Sequence, residues 1–205
     1  MMATHALRSA HPVLRALGMA ALLLGALATG PASAQTPARG HLWMDAGIGI
    51  GYVRVTCTVC AGTAANGAAL TVSVGGGISR NVLLGVQGQQ WGSTGSSPRQ
   101  WVRSILAIVQ WNPWPDAKFY IRGGTGIVQG TVAPEAAGAQ PGTARGTGVA
   151  LAFGVGYDVA LTPHFGVAVQ AAEQTAALGD LTVGGVLAND VIAYVMRIGV
   201  ALVWR

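Results

Sequence analysis

Between residues 42 and 52 the chain alternates without a break. Leu42, Met44, Ala46, Ile48, Ile50 and Tyr52 take the even positions, and Trp43, Asp45, Gly47, Gly49 and Gly51 lie between them. A period of two sends successive side chains to opposite faces of a β-strand, so one face is greasy and the other small or polar. The same split recurs over residues 69–79, where Leu70, Val72, Val74 and Ile78 oppose Thr71, Ser73, Gly75 and Ser79. It recurs over 119–127, with Phe119, Ile121 and Ile127 against Tyr120, Arg122, Gly124 and Gly126, and over 149–159, where Asp158 shares a face with Gly154 and Gly156. A last strand covers 191–204, with Tyr194, Met196, Ile198, Val200, Leu202 and Trp204 on one side and Arg197, Gly199 and Ala201 on the other. Three further strands are predicted at 82–90, 102–111 and 165–172, with their phase undetermined. The total is eight.

The links between strands alternate in length. Short ones at 80–81, 112–117 and 161–164 hold the Asn and Pro residues that turns require, and long ones fall at 56–67, 92–99, 131–146 and 174–188. Short turns at one end and long loops at the other predict an all-β, eight-stranded antiparallel up-and-down transmembrane barrel, with turns periplasmic and loops outside. Both termini then lie at the periplasmic rim. A soluble barrel or sandwich shares the alternation, but with its apolar faces turned inward its surface would be Gly, Ala, Ser and Thr with few charges. Tryptophans support the membrane reading: Trp91 and Trp101 flank one loop, Trp111 and Trp114 surround one turn and Trp204 is next to last, as interfacial girdles would be placed.

Composition narrows the class further. The chain is 51% hydrophobic and 9% charged, with 31 glycines and a mean hydropathy of +0.48, which is odd for a soluble globule. Helical spans are disfavoured, because Asp45, Arg122, Asp158, Asp190 and Arg197 interrupt the apolar stretches, and the charge-free run 55–79 is rich in Thr and Gly. Residues 1–34 read as a secretory signal peptide: Arg8 and Arg15, an apolar run over 16–27, and Ala32 and Ala34 as the small residues before cleavage. The mature domain is then 35–205, one domain's worth of chain. No cysteine adjoins the cleavage point, so a lipid anchor is not expected. Net charge is +5; without Arg8 and Arg15 it is +3. No Lys/Arg cluster interleaves with aromatics, so no nucleic-acid partner is expected.

The C-terminal run Arg197-Ile198-Gly199-Val200-Ala201-Leu202-Val203-Trp204 resembles the assembly signal on the last strand of bacterial outer-membrane barrels, with Arg197, Gly199, Leu202 and Trp204 at its polar, glycine, apolar and aromatic positions. Arg205 follows where many such chains stop. Residues 40–205 as a whole resemble the small outer-membrane barrels of the OmpA-barrel and OmpX type. The resemblance implies a place in the cell outer membrane and insertion by the barrel-assembly machinery. The barrel is expected to be a monomer among outer-membrane lipids.

The chemical motifs are sparse. Gly47-Ile48-Gly49-Ile50-Gly51 and Gly123-Gly124-Thr125-Gly126 do not complete a phosphate-binding loop and read as glycines on the crowded inside of a narrow barrel. Asp45, Arg122, Asp158 and Arg197 are predicted lumen charges that pair across the interior, with Arg54 and Glu173 joining near the outer end. They make either a packed polar plug or a gated pore; eight strands leave room for little beyond side chains, which favours the plug. Lipid A hydrolases and acyltransferases on barrels of this size use a His beside a Ser. Here the mature chain has His41 and His164, neither in such an arrangement and both at the predicted periplasmic end. No catalytic residue, cofactor or metal site is expected. The expected function is a non-enzymatic envelope-structural or surface-interaction role through the loops, the alternative a narrow outer-membrane channel for small solutes.

Cys57 and Cys60 are the only cysteines. C-x-x-C occurs in redox and zinc sites, but this pair follows a strand, in a loop without His, Asp or Glu. Export to an oxidising compartment predicts an intraloop disulfide whose closure is too local to add much global stability. Mass spectrometry of the non-reduced loop peptide from native membranes should show it oxidised, and Cys57→Ser/Cys60→Ser should insert normally. Two free thiols would refute the disulfide, and failed insertion would refute its local role.

Overall fold

The structure, a computed structural model, describes residues 42–57, 63–93, 99–114, 118–133, 144–183 and 186–205. The expected signal segment, His41 and Cys60 lie outside them. Eight antiparallel strands follow one another around a closed ring: β1 (Leu42–Thr56), β2 (Thr63–Gly77), β3 (Val82–Ser93), β4 (Arg99–Trp111), β5 (Phe119–Ala133), β6 (Ala144–Ala160), β7 (Phe165–Val183) and β8 (Val186–Trp204). Each pairs with its sequence neighbour, and β1 closes on β8 in an unbroken register from Met44↔Trp204 to Thr56↔Ile192. Among the described strands no edge is left to solvent, lipid or another chain. No described helix is long and apolar enough to cross a membrane.

The faces follow the alternation. Even positions of β1 point outward, Ile48 at 66% and Ile50 at 76% exposure, while Trp43, Asp45, Gly47, Gly51 and Val53 are buried. The three strands of undetermined phase resolve the same way: Gln87, Gln89 and Trp91 of β3, Ser104, Leu106 and Ile108 of β4, and Ala168, Gln170 and Gln174 of β7 face inward. A surface of exposed Ile, Leu, Val and Phe around a polar-rich interior is the sense a lipid-facing barrel requires, and a soluble barrel would invert it.

Two expectations need correcting. Strands run beyond the predicted bounds at the long-loop end: much of the expected loop 174–188 continues as β7 and β8, bent by bulges around Gly179, which has φ +70°. These 19-residue strands exceed the 9–11 residues a bilayer requires. In a chain that spans a bilayer the outer ends of such strands stand clear of the hydrocarbon, and with no lipid to face they lose the apolar contrast that marks a strand. Trp91, read as a girdle residue, instead points into the barrel and is fully buried, whereas Trp101, Trp111 and Trp114 are exposed.

Trp91 fits because its neighbours have no side chains. A Cβ added at Gly51 would come within 2.7 Å of the Trp91 ring, and one at Gly67 within 2.6 Å. Gly123, on the outward face, meets nothing within 4 Å. Gly51→Ala should therefore destabilise the refolded barrel by about 1–3 kcal/mol through overpacking. Gly123→Ala should change stability by no more than about 0.5 kcal/mol, or raise it by reducing the freedom of the unfolded chain. Urea titration in detergent checks this, and equal losses for the two would contradict the packing described.

Candidate functional site

The interior is organised around one arginine. Arg122 sits on β5, four strands from β1 in either direction around the ring, and its side chain crosses the lumen. Its Nη2 donates to Asp45 Oδ2 of β1 at 2.7 Å and to Gln110 Oε1 of β4 at 2.7 Å. Nε donates to the same Gln110 oxygen at 3.2 Å, and Nη1 to Gln87 Oε1 at 3.2 Å and Ser73 Oγ at 3.4 Å. Ser73 Oγ donates to the other Asp45 oxygen at 2.9 Å. The guanidinium also lies 4.8 Å from the Trp43 ring centroid and 5.2 Å from that of Tyr120, where the negative ring faces favour a cation.

The strand registers assemble this network. Asp45 is opposite Ser73 in the β1–β2 ladder, Ser73 opposite Gln87 in β2–β3, and Gln110 opposite Arg122 in β4–β5. Four strands thus present acceptors to one fork of donors. Taking two charges out of water is costly unless the remaining hydrogen-bonding capacity is filled, and here every N–H-bearing nitrogen of Arg122 has a partner.

The other predicted lumen charges do not join. Asp158 is half-buried at the short-turn end, and its Oδ2 accepts from Arg205 Nη2 instead of reaching across the interior. Arg205, the residue past the expected end of the assembly motif, thereby closes a surface pair. Arg197 is buried at 8% exposure but makes no hydrogen bond or ion pair among the described residues. It borders a small internal void of about 20 Å³ shared with Gln170, Arg122 and Tyr120, enough for a water molecule. Arg54 and Glu173 fall on the outward face, since strict alternation separates Arg54 from Asp45 by an odd number of residues.

Toward the long loops the interior becomes apolar. Trp91, Val53, Val102, Val128, Leu178, Val191 and Val195 are all buried there, and Ser104 Oγ donates to Gln174 Oε1 at 3.0 Å below them. The sequence reading missed this second layer, although Val53 continues the inward phase of β1; Trp91 fell just beyond a strand whose phase the sequence left open. Cys57 packs against the same cluster. His164 lies exposed in a short turn, its carbonyl accepting from the Arg205 amide. Of the assembly-motif residues, Leu202 points outward at 67% exposure, Trp204 is half-buried on the same side, and Gly199 pairs with Gly49 across the closing seam.

No family model matches the chain, and no curated protein matches it in sequence. Solved structures do. Neisserial surface protein A shares 16% identity over 78% of this chain and 95% of its own, with a TM-score of 0.52. Ail, the attachment invasion locus protein of Yersinia pestis, shares 15% over 80% and 99%, with a TM-score of 0.57. The fold is that of a small outer-membrane β-barrel. This likeness and the apolar outer surface together support an outer-membrane location.

Arg122→Met should cost about 3–5 kcal/mol, because it strands Asp45 as a buried charge. Arg197→Met removes a cation that bonds nothing among the described residues and should cost less than about 1 kcal/mol, or stabilise. Urea unfolding of both variants after refolding in detergent, which needs no assembly machinery, measures the difference. Equal losses would show that Asp45 and Arg122 are not a privileged pair.

Proposed function

We propose that the chain is a non-enzymatic outer-membrane barrel that acts through its outer loops and surface, as an envelope-structural or surface-interaction protein. The observation that carries this reading is the filled interior. Arg122 and its partners close the lumen at one level, the Trp91 layer closes it at another, and the internal void between β5 and β8 is only about 20 Å³. A lumen of that kind is a strut. Specificity then sits where loops emerge from a rigid frame. The structural neighbours lend support: one is named a surface protein, and Ail is an attachment invasion locus protein whose structure was solved with the heparin analogue sucrose octasulfate.

The expected partners are outer-membrane lipids, with the barrel-assembly machinery during insertion. Mature protein should fractionate with outer membranes and change gel mobility on boiling, since a closed barrel resists local opening. In planar bilayers it should give no discrete, salt-dependent openings. Recovery as a soluble periplasmic monomer would overturn the location, and unitary conductance steps would replace the strut with a narrow channel.

A further inference from the structure

The outward face of β2–β6 divides sharply with height. One rung of the ladder reads Val72, Gly88, Ile105, Ile127 and Val149; the next rung toward the long loops reads Leu70, Gln90, Arg103, Gln129 and Thr147. One rung further out, Gly92, Trp101, Thr131 and Arg145 stand in line. Gly88 has no side chain, and a Cβ there would meet only Val72 O at 3.9 Å. Its gap opens a groove of about 500 Å³, with Leu70, Val72, Ile105 and Ile127 along it and Gln90, Arg103, Gln129 and Thr147 at its outer edge.

We propose that this groove binds a phosphate-bearing anionic lipid of the outer leaflet, its acyl chain over Gly88 and its phosphate on Arg103. The inference rests on the membrane location proposed above. Trp101 is an outward tryptophan of the kind that marks the membrane interface, and Arg103 lies one rung nearer the membrane centre, 6.0 Å from the Trp101 ring centroid. At that depth a guanidinium needs a counterion. Among the residues whose side chains are described, Arg103 has no carboxylate partner, and the outward positions of β3–β6 add a second cation, Arg145, and no acid. Arg145 is two strands and one rung away, on the order of 12 Å. The outward carboxylate of Glu173 lies elsewhere on the ring, paired in register with Phe153 and Met196. The planar fork of Arg103 matches phosphate oxygens. The carboxamides of Gln90 and Gln129, immediately beside it in register, supply further N–H donors.

The test uses the mature barrel refolded in an uncharged detergent, with gel mobility before and after boiling confirming closure of each variant. Native mass spectrometry then titrates dioctanoyl phosphatidic acid, dioctanoylglycerol and inorganic phosphate against wild type, Arg103→Gln and Gly88→Leu. Wild type should bind the phosphatidic acid at least tenfold more tightly than Arg103→Gln and at least fivefold more tightly than Gly88→Leu, whose side chain fills the groove. Dioctanoylglycerol should bind wild type and Arg103→Gln equally, and inorganic phosphate should not compete. Equal phosphatidic acid affinity in wild type and Arg103→Gln would overturn the site, as would full competition by inorganic phosphate, which needs no acyl groove. Fractionation of the wild-type chain as a soluble protein would instead defeat the membrane location, a separate failure read in a separate experiment.

Discussion

In the hydrocarbon of a bilayer an unpaired backbone amide or carbonyl costs several kcal/mol, so a β-sheet can enter only as a closed ring. The pairing of β1 with β8 supplies that closure here, and it joins the two ends of the described chain, Met44 opposite Trp204. Every other feature depends on it. With eight strands the ring has a fixed, narrow bore, and the bore determines which side chains can meet across it.

Arg122 illustrates the consequence. Its side chain is long enough to cross a ring of this size and reach Asp45 on the opposite wall, and the ladder registers place Ser73, Gln87 and Gln110 where its other donors end. The pair is a poor source of net stability compared with an apolar core of equal volume, because both charges leave water. What it provides is register: a slip of one residue in any of four strands would turn an acceptor outward to face lipid. The Trp91 layer does the complementary work nearer the loops, its bulk matched to the missing side chains of Gly51 and Gly67.

The outer surface is organised by height as the interior is. Ile, Leu and Val occupy the middle rungs, and Arg103, Gln90, Gln129 and Arg145 occupy the rungs near Trp101. In the function proposed above, a barrel with a filled lumen acts through this surface and through its loops. Those are also the positions where alternation weakens and where a strand reading has least to hold on to.

The alternation along β1, β2, β5, β6 and β8 was enough to specify those strands, their inward and outward faces and the sense of the barrel, because a side-chain period of two is a local property of extended backbone; the other three strands were legible in number but not in phase. It also placed Asp45, Arg122 and Arg197 inside. Partners were not legible. That Arg122 takes Asp45, that Arg197 takes none of the described residues, and that Asp158 turns to Arg205 at the rim depend on the register between strands far apart in sequence and on the bore they enclose. Trp91 shows the same limit from the other side: beside a loop, an inward and an interfacial tryptophan look alike in sequence. Only the closed ring, with Gly51 and Gly67 facing the space that Trp91 fills, separates them.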